Sequence, residues 1–407
     1  MKHLPHLPRL ARWAVPAAVV ATAGGLLATS GPPSAAAPRL PARSAGQLLA
    51  AVTRDAGPPL SGTITETASL GLPSLPGAGP LGPAAPLSAL SLLTGSHTVQ
   101  IWYAGPEHYR LALPQRMSED DLVRNGTSAW LWNSAANTVT HLTLPATAPM
   151  PPTPSIPLTP QQAARQALAA AGPATVVRVD PTVTVAGQAA YQLVLAPKSH
   201  RSLIGQVRIA IDSQHRVPLR VQVFARGTAR PAAQAGFTAV TFSRPAAGDY
   251  AFTPPAGATV TRETGTPGRG GAGQPGQRAA DGARMIGTGW LTVVALPESS
   301  LAALTGGTDL LPFQHSSSAE APGSRSAPSS GAPSPLLGTL LNSARPVHGA
   351  WGSGRLITTS LLSVLVTSTG RVLIGAVRPA VLYHAVTQPG RPLTSLSRHA
   401  ASRARPK

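Results

Sequence analysis

Between His97 and Leu144, β-branched, aromatic and aliphatic residues alternate with polar ones in four segments, HTVQIWYA, EHYRLAL, TSAWLWN and NTVTHLTL. The breaks between them are Gly105-Pro106, the polar stretch Ser118 to Gly126 ending in Asn125-Gly126, and Ser134-Ala135-Ala136. Period-two alternation puts one residue set on one face, so the pattern predicts an antiparallel meander with a buried side. A second series follows: ATVVRVD, QAAYQLVLAP, GQVRIAIDS, VPLRVQVFA and AGFTAVTFS. In it Val207, Ile209 and Ile211 share a face, and so do Val217, Leu219, Val221 and Val223. Gln206, Arg208, Arg220 and Gln222 occupy the opposite faces, which predicts a sheet that is wet on one side. SGTITETASL (61–70) reads as a further strand ahead of both series.

Two helices are signalled by their starts. Ser44-Ala45-Gly46-Gln47 is a capping-box pattern opening a helix with Leu48, Leu49 and Val52, and Gly57-Pro58-Pro59 ends it. Thr159-Pro160-Gln161-Gln162 supplies an N-cap, a proline at the first helical position and a glutamine at the third. The alanine-rich helix that follows stops at Gly172-Pro173. Between Glu66 and His97 no residue is charged; Leu, Gly and Pro dominate, and Pro86 to Leu93 has the makings of a short apolar helix. So apolar a stretch reads as a lid over apolar surface, through Leu87, Leu90 and Leu93, with a disordered Gly/Pro insert as the alternative.

Thr264 to Gly282 is rich in Gly, Arg and Gln and reads as a flexible linker. Beyond it IGTGWLTVVAL, ITTSLLSVLVT and RVLIGAV read as strands of a smaller unit, with a short helix near 379–386. The expected organisation is a signal peptide over 1–36, a main domain over 44–260, a Gly/Arg-rich linker over 261–284, a C-terminal unit over 285–388 with a disordered insert near 312–335, and a basic tail over 389–407.

Composition narrows the function classes. The net charge is +19 over 407 residues, carried almost entirely by arginine, with only Lys2, Lys198 and Lys407 as lysines. Together with heavy Ala, Pro and Gly usage this is the residue bias of GC-rich coding, and the arginines are scattered instead of gathered on one face with interleaved aromatics. A nucleic-acid partner is therefore not expected, whereas attraction to an anionic membrane surface is. There is no cysteine, which excludes disulfides, thiol catalysis, cysteine-ligated metals and a lipid-modified cysteine anchor. Lys2, Arg9 and Arg12 precede an uncharged apolar run from Trp13 to Ala28, and Ser34-Ala35-Ala36 offers a small-residue cleavage site. This is an export signal, either cleaved or retained as an anchor, and it places the chain in the extracytoplasmic cell envelope.

No catalytic set emerges. Glu119-Asp120-Asp121 lacks the loop spacing of a hard-cation site, and the expected role is a single helical turn capped by Ser118, whose first positions favour negative charge. Around Ser353 the places two before and two after hold Trp351 and Arg355, where a nucleophile elbow needs glycine, so a tight turn is expected there. Gly268-Arg269-Gly270-Gly271 lacks the ending of a phosphate loop. The histidines show no metal-like pairing, and His97, His108 and His141 are expected as exposed strand residues. No cofactor and no metal are called for, and the chain is expected not to be an enzyme.

LSGTITETASLGLPSL, GSHTVQIWYAGPEHYRLAL, NGTSAWLWNSAANTVTHLTLP, AGQAAYQLVLAPK, GQVRIAIDSQHRVPLRVQVFARG and FTPPAGATV carry a resemblance. In order and type they resemble the superfamily of outer-membrane lipoprotein carriers (LolA/LolB) and RseB/MucB-type sigma-factor regulators, in its actinobacterial exported branch. The resemblance implies an α+β fold: a strongly curved antiparallel sheet, an incomplete barrel, covered by short helices, with a small C-terminal β-rich unit beside it. It implies lipid or lipoprotein acyl chains as ligand, or alternatively a membrane-anchored regulatory protein, such as an anti-sigma factor, as partner. The expected cavity wall is Val207, Ile209, Ile211, Leu219, Val221 and Val223 with Tyr191 and Leu193, joined by Val99, Ile101, Leu111, Trp130 and Trp132.

The export signal has a direct test. N-terminal sequencing of the envelope-associated protein is expected to begin near Ala37, and an intact Met1 in most molecules would establish the anchor instead.

Overall fold

The structure is a computed structural model that describes residues 38–52, 57–71, 94–115, 117–144, 159–264, 282–297, 344–388 and 390–392. The expected signal peptide, the lid leucines Leu87, Leu90 and Leu93, most of the linker and the 312–335 insert lie outside these residues.

Two local signals act as the sequence predicts. Helix α1 (Ala45–Val52) starts at Ser44, whose backbone N–H donates to Gln47 Oε1 (3.1 Å) while Ser44 Oγ accepts from the Gln47 N–H (3.3 Å). Helix α2 (Pro160–Ala170) has the same reciprocal pair at Thr159 and Gln162, with Pro160 at its start. Each box satisfies two N–H groups that a helix start otherwise leaves unpaired.

The strands β1 (Leu60–Ser69), β2 (Thr94–Tyr103), β3 (His108–Pro114), β4 (Glu119–Asn125), β5 (Ser128–Asn133), β6 (Thr138–Thr143), β7 (Thr175–Val185), β8 (Gln188–Pro197), β9 (Ile204–Asp212), β10 (Pro218–Ala225), β11 (Ala233–Thr241) and β12 (Thr259–Thr264) form one open sheet. Its order is β12-β6-β5-β4-β3-β2-β1-β11-β10-β9-β8-β7. Every pairing is antiparallel except β12 with β6, which is parallel. Strand β12 falls in the stretch expected to lead into the linker.

The largest departure from expectation is β4. The stretch Ser118 to Gly126 is not a break with a capped helical turn; Glu119–Asn125 is a fully paired strand between β3 and β5. Aspartates are poor strand residues, but here tertiary partners hold them. Asp120 accepts from Asn133 Nδ2 (2.6 Å) and Gln115 Nε2 (2.8 Å), and Asp121 accepts from Arg110 (2.5 Å).

Bulges bend the sheet. Register shifts fall between Thr63 and Ile64, Pro218 and Arg220, Phe224 and Ala225, and Asp180 and Val183. Each reverses the inward alternation and increases the local twist. One consequence is that Val185 and Ala190, at the β7–β8 turn, share a cluster with Leu111 and Leu122 of the distant strands β3 and β4. The sheet therefore curls toward itself without closing. A second cluster lies beneath α1 and α2, where Leu48, Val52 and Ala164 meet Tyr191, Leu193, Leu195, Ile209 and Ile211.

The C-terminal unit is a second sheet of β13 (Arg284–Ile286), β14 (Val293–Leu296), β15 (Arg345–Gly349), β16 (Gly352–Thr358), β17 (Ser363–Thr367), β18 (Val372–Gly375) and β19 (Arg391–Pro392), in the order β15-β16-β17-β18-β14-β13-β19. Helix α3 (Pro379–Val386) buries Leu382 against it with Leu365, Leu373 and Val377. The segments read as single strands are interrupted. IGTGWLTVVAL is broken by a 3-10 turn at Gly289–Leu291, with Gly287 and Gly289 at φ of +81° and +57°. ITTSLLSVLVT is broken by a turn in which Thr359 Oγ1 accepts the Leu362 N–H (2.9 Å). This sheet is tied to the larger one: the Leu203 N–H donates to Ala376 O (3.0 Å), Arg378 N–H to Arg201 O (2.8 Å) and Ser360 N–H to Leu70 O (2.9 Å).

Leu193 is fully buried under the helices. Leu193→Ala is expected to cost about 2–5 kcal/mol, read as a lower denaturation midpoint with an unchanged slope. A loss below about 1 kcal/mol would mean that the helices do not seal this face.

Candidate functional site

A cavity of about 290 Å³ opens where α2 passes over β9, β10 and β11. Helix α2 presents Ala163, Ala167 and Ala170 to it, spaced three and four apart and so on one helical face. The sheet supplies Val207, Val221, Val223, Ala233 and Ala235, and the C-terminal unit supplies Gly289, Trp290, Thr292 and Ala376. Small residues on the helix are what leaves the space: longer side chains there would fill it. Trp290 is anchored by its indole N–H, which donates to Thr175 Oγ1 at 2.7 Å in a buried setting.

One charged residue reaches this lining, Glu66 of β1, which pairs across the sheet with Ala235 and His97. Its Oε2 is buried without a hydrogen-bond partner. Burial pushes its carboxyl up to about 7 from an ordinary 4.5, because removing the carboxylate from water disfavours the charged form.

The expected wall residues are distributed over three places. Val207, Val221 and Val223 line the cavity, and Tyr191, Leu193, Ile209 and Ile211 continue the same cluster beneath α1. The Tyr191 hydroxyl donates to Pro41 O (2.8 Å), which fixes the approach to α1. Val99, Ile101 and Leu111 belong to the other cluster, and so does Leu219. The expectation that Leu219 shares a face with Val221 and Val223 is corrected by the bulge at Pro218/Arg220. Trp130 and Trp132 do not join Val99, Ile101 and Leu111 either. Leu131 between them packs toward that cluster, so alternation turns both tryptophans to the other face.

There Trp130 stacks on His141 with ring centroids 3.9 Å apart, and Phe252 lies 5.6 Å from Trp130 and 6.2 Å from Trp132. His97, His108 and His141 are half-buried, not exposed. Across from Trp132, Asp121, ion-paired to Arg110, is pushed up to about 7, by burial first and by the neighbouring Glu119. Among the described residues no group of three or more His, Cys, Asp or Glu is placed to hold a metal ion, and no helix is long and apolar enough to cross a membrane.

Glu66, Trp290 and the alanine face of α2 are the site residues that sequence reading misses. The alanine spacing was visible in the sequence. Glu66 was not distinguishable from a solvated strand residue, because only the docking of distant segments buries it.

No family model and no curated protein matches this chain. Among solved structures it is similar to MucB in the Pseudomonas aeruginosa MucA/MucB complex, with 14% identity, a TM-score of 0.39, and coverage of 86% of this chain and 97% of that one. It is also similar to an uncharacterized conserved protein from Thermus thermophilus, with 12% identity, a TM-score of 0.31, and coverage of 54% and 100%. A LolA superfamily protein from Nitrosomonas europaea matches with 10% identity, a TM-score of 0.20, and coverage of 52% and 99%. MucB and the LolA superfamily are the groups named by the sequence resemblance; with every TM-score below 0.5, the likeness carries no argument about chemistry or partners.

The Glu66 carboxyl makes stability depend on pH. Between about 4.5 and about 7 the folded state holds a proton that the unfolded chain has released, so stability falls as pH rises through that window. Glu66→Gln is expected to flatten this fall, measured by urea unfolding at about pH 5 and about pH 8. Asp121, shifted in the same direction, leaves a residual slope in the variant. An unchanged slope would place the Glu66 carboxyl in water.

Proposed function

We propose that the chain is an extracytoplasmic, non-enzymatic binding protein that holds an apolar chain in the cavity between α2 and the sheet. The carrying observation is the cavity itself: its walls are chiefly Ala, Val, Ile and Trp side chains, and burying an alkyl chain there releases about 25 cal/mol per Å² of apolar surface. At about 290 Å³ it stands at the lower edge of the ~300–1,000 Å³ range of small-molecule sites. It suits one chain, not a bundle of several. Scattered arginines on the surface would meet anionic headgroups of the membrane from which the ligand is drawn.

A second reading, a sensor acting on a membrane-anchored regulatory protein, has its own support. Gly289, Trp290, Thr292 and Ala376 of the C-terminal unit form part of the lining. Occupancy of the cavity and the seating of that unit are thereby linked, and a ligand that binds one seating better than another would shift between them.

A neutral acyl-naphthalene probe, whose emission shifts to the blue in apolar surroundings, tests the first reading. The wild-type chain is expected to bind it saturably. Ala167→Trp, which fills the cavity from α2, is expected to weaken binding by about tenfold or more with the far-ultraviolet dichroism unchanged. Failure of the wild-type chain to bind the probe would overturn the reading.

A further inference from the structure

The cavity lining includes one carboxyl, and the proposed reading does not use it. An apolar chain needs no carboxyl in its binding site, and a carboxyl oxygen buried without a partner costs stability. Glu66 nevertheless lines the cavity, with Oε2 buried and unpartnered. Among the described residues no other lining residue is charged. A further large polar side chain in the lining is the amide of Gln166 on α2. Gln234 keeps its amide away from the lining: it pairs across the strands with Gln222 on the face opposite Val221 and Val223, and its Oε1 accepts from the Gln222 Nε2–H at 2.7 Å.

Building on the proposed function, we infer that the ligand is a single-chain amphiphile whose inner end is a cationic amine, and that Glu66 is the residue that selects it. An ammonium group presents three N–H donors and no acceptor. Glu66 supplies a charged acceptor, and the carbonyl oxygen of Gln166 on α2 supplies a neutral one. The pairing also removes the penalty on the carboxylate, since an opposite charge at close range favours the ionised form. A hydroxyl end has one proton to donate and gains less. A carboxylate end would set two like charges together in an apolar enclosure, which is disfavoured most. Glu66 thus reads the polar end of the ligand, and Val207, Val221, Val223 and the α2 alanines hold its chain.

The test uses the full chain and displacement of the neutral acyl-naphthalene probe by dodecylamine, dodecanol or dodecanoate. All are kept below their aggregation concentrations at about pH 8, where the amine and the free carboxylates are ionised. Dodecylamine is expected to displace the probe about tenfold more effectively than dodecanol, the size of one charge-assisted hydrogen bond, and dodecanoate less effectively than either. In Glu66→Gln, which keeps shape and volume, the amine is expected to lose its tenfold advantage and fall to the level of dodecanol. Equal displacement by amine and alcohol in the wild type, or an amine advantage that survives in Glu66→Gln, would overturn the inference while leaving the binding reading intact. If none of the three displaces the probe, or the probe itself does not bind, the cavity reading fails and the inference with it.

Discussion

Twelve strands in one open sheet expose more apolar face than two short helices can cover, and the rest of the structure follows from how that face is buried. Helices α1 and α2 together have 19 helical residues, enough to cap the β8–β10 region. The face of β1 to β4 receives no described helix. It is buried because bulges curl the sheet until residues of the β7–β8 turn meet those of β3 and β4. Curvature here takes the role that a second layer has in a sandwich. The glycine at position 62 shows how tight the curl is: a Cβ there would run into the Ala239 carbonyl oxygen and the Phe237 ring.

The cavity is a product of the same constraint. Where α2 crosses the sheet it presents Ala163, Ala167 and Ala170 to the cavity, side chains too short to fill it. The C-terminal unit closes one side by presenting Trp290 and Ala376. The indole of Trp290 is held by Thr175 at the start of β7, so the wall of the cavity, the edge strand and the second sheet are mechanically connected. Glu66 lies on the central strand β1, next to both halves of the sheet, and its burial depends on that whole arrangement.

The acidic run Glu119-Asp120-Asp121 shows how local chemistry can mislead. Taken alone it has the composition of a turn or of a helix start. In the structure it forms the middle of the meander, because each aspartate finds a partner that is remote in sequence: Asp120 with Asn133 and Gln115, Asp121 with Arg110. Arg110 in turn lies 5.5 Å from the Trp102 ring. These groups would be costly to bury singly, and pairing offsets part of that cost, although Asp121 Oδ1 and Arg110 Nε stay buried without a partner among the described residues.

The sequence by itself determined the strand-rich plan and the two capped helices. Those signals are local: period-two alternation, a serine or threonine three residues before glutamine, and a glycine in a turn act within a few residues of themselves. Tertiary structure alone decided the identity of β4, the side of the sheet that Leu219, Trp130 and Trp132 occupy, and the position of Glu66 in an apolar cavity. A bulge reverses every face beyond it, and a buried charge is defined by what docks over it. Both are set by contacts between segments far apart in the chain, for which alternation and capping carry no signal.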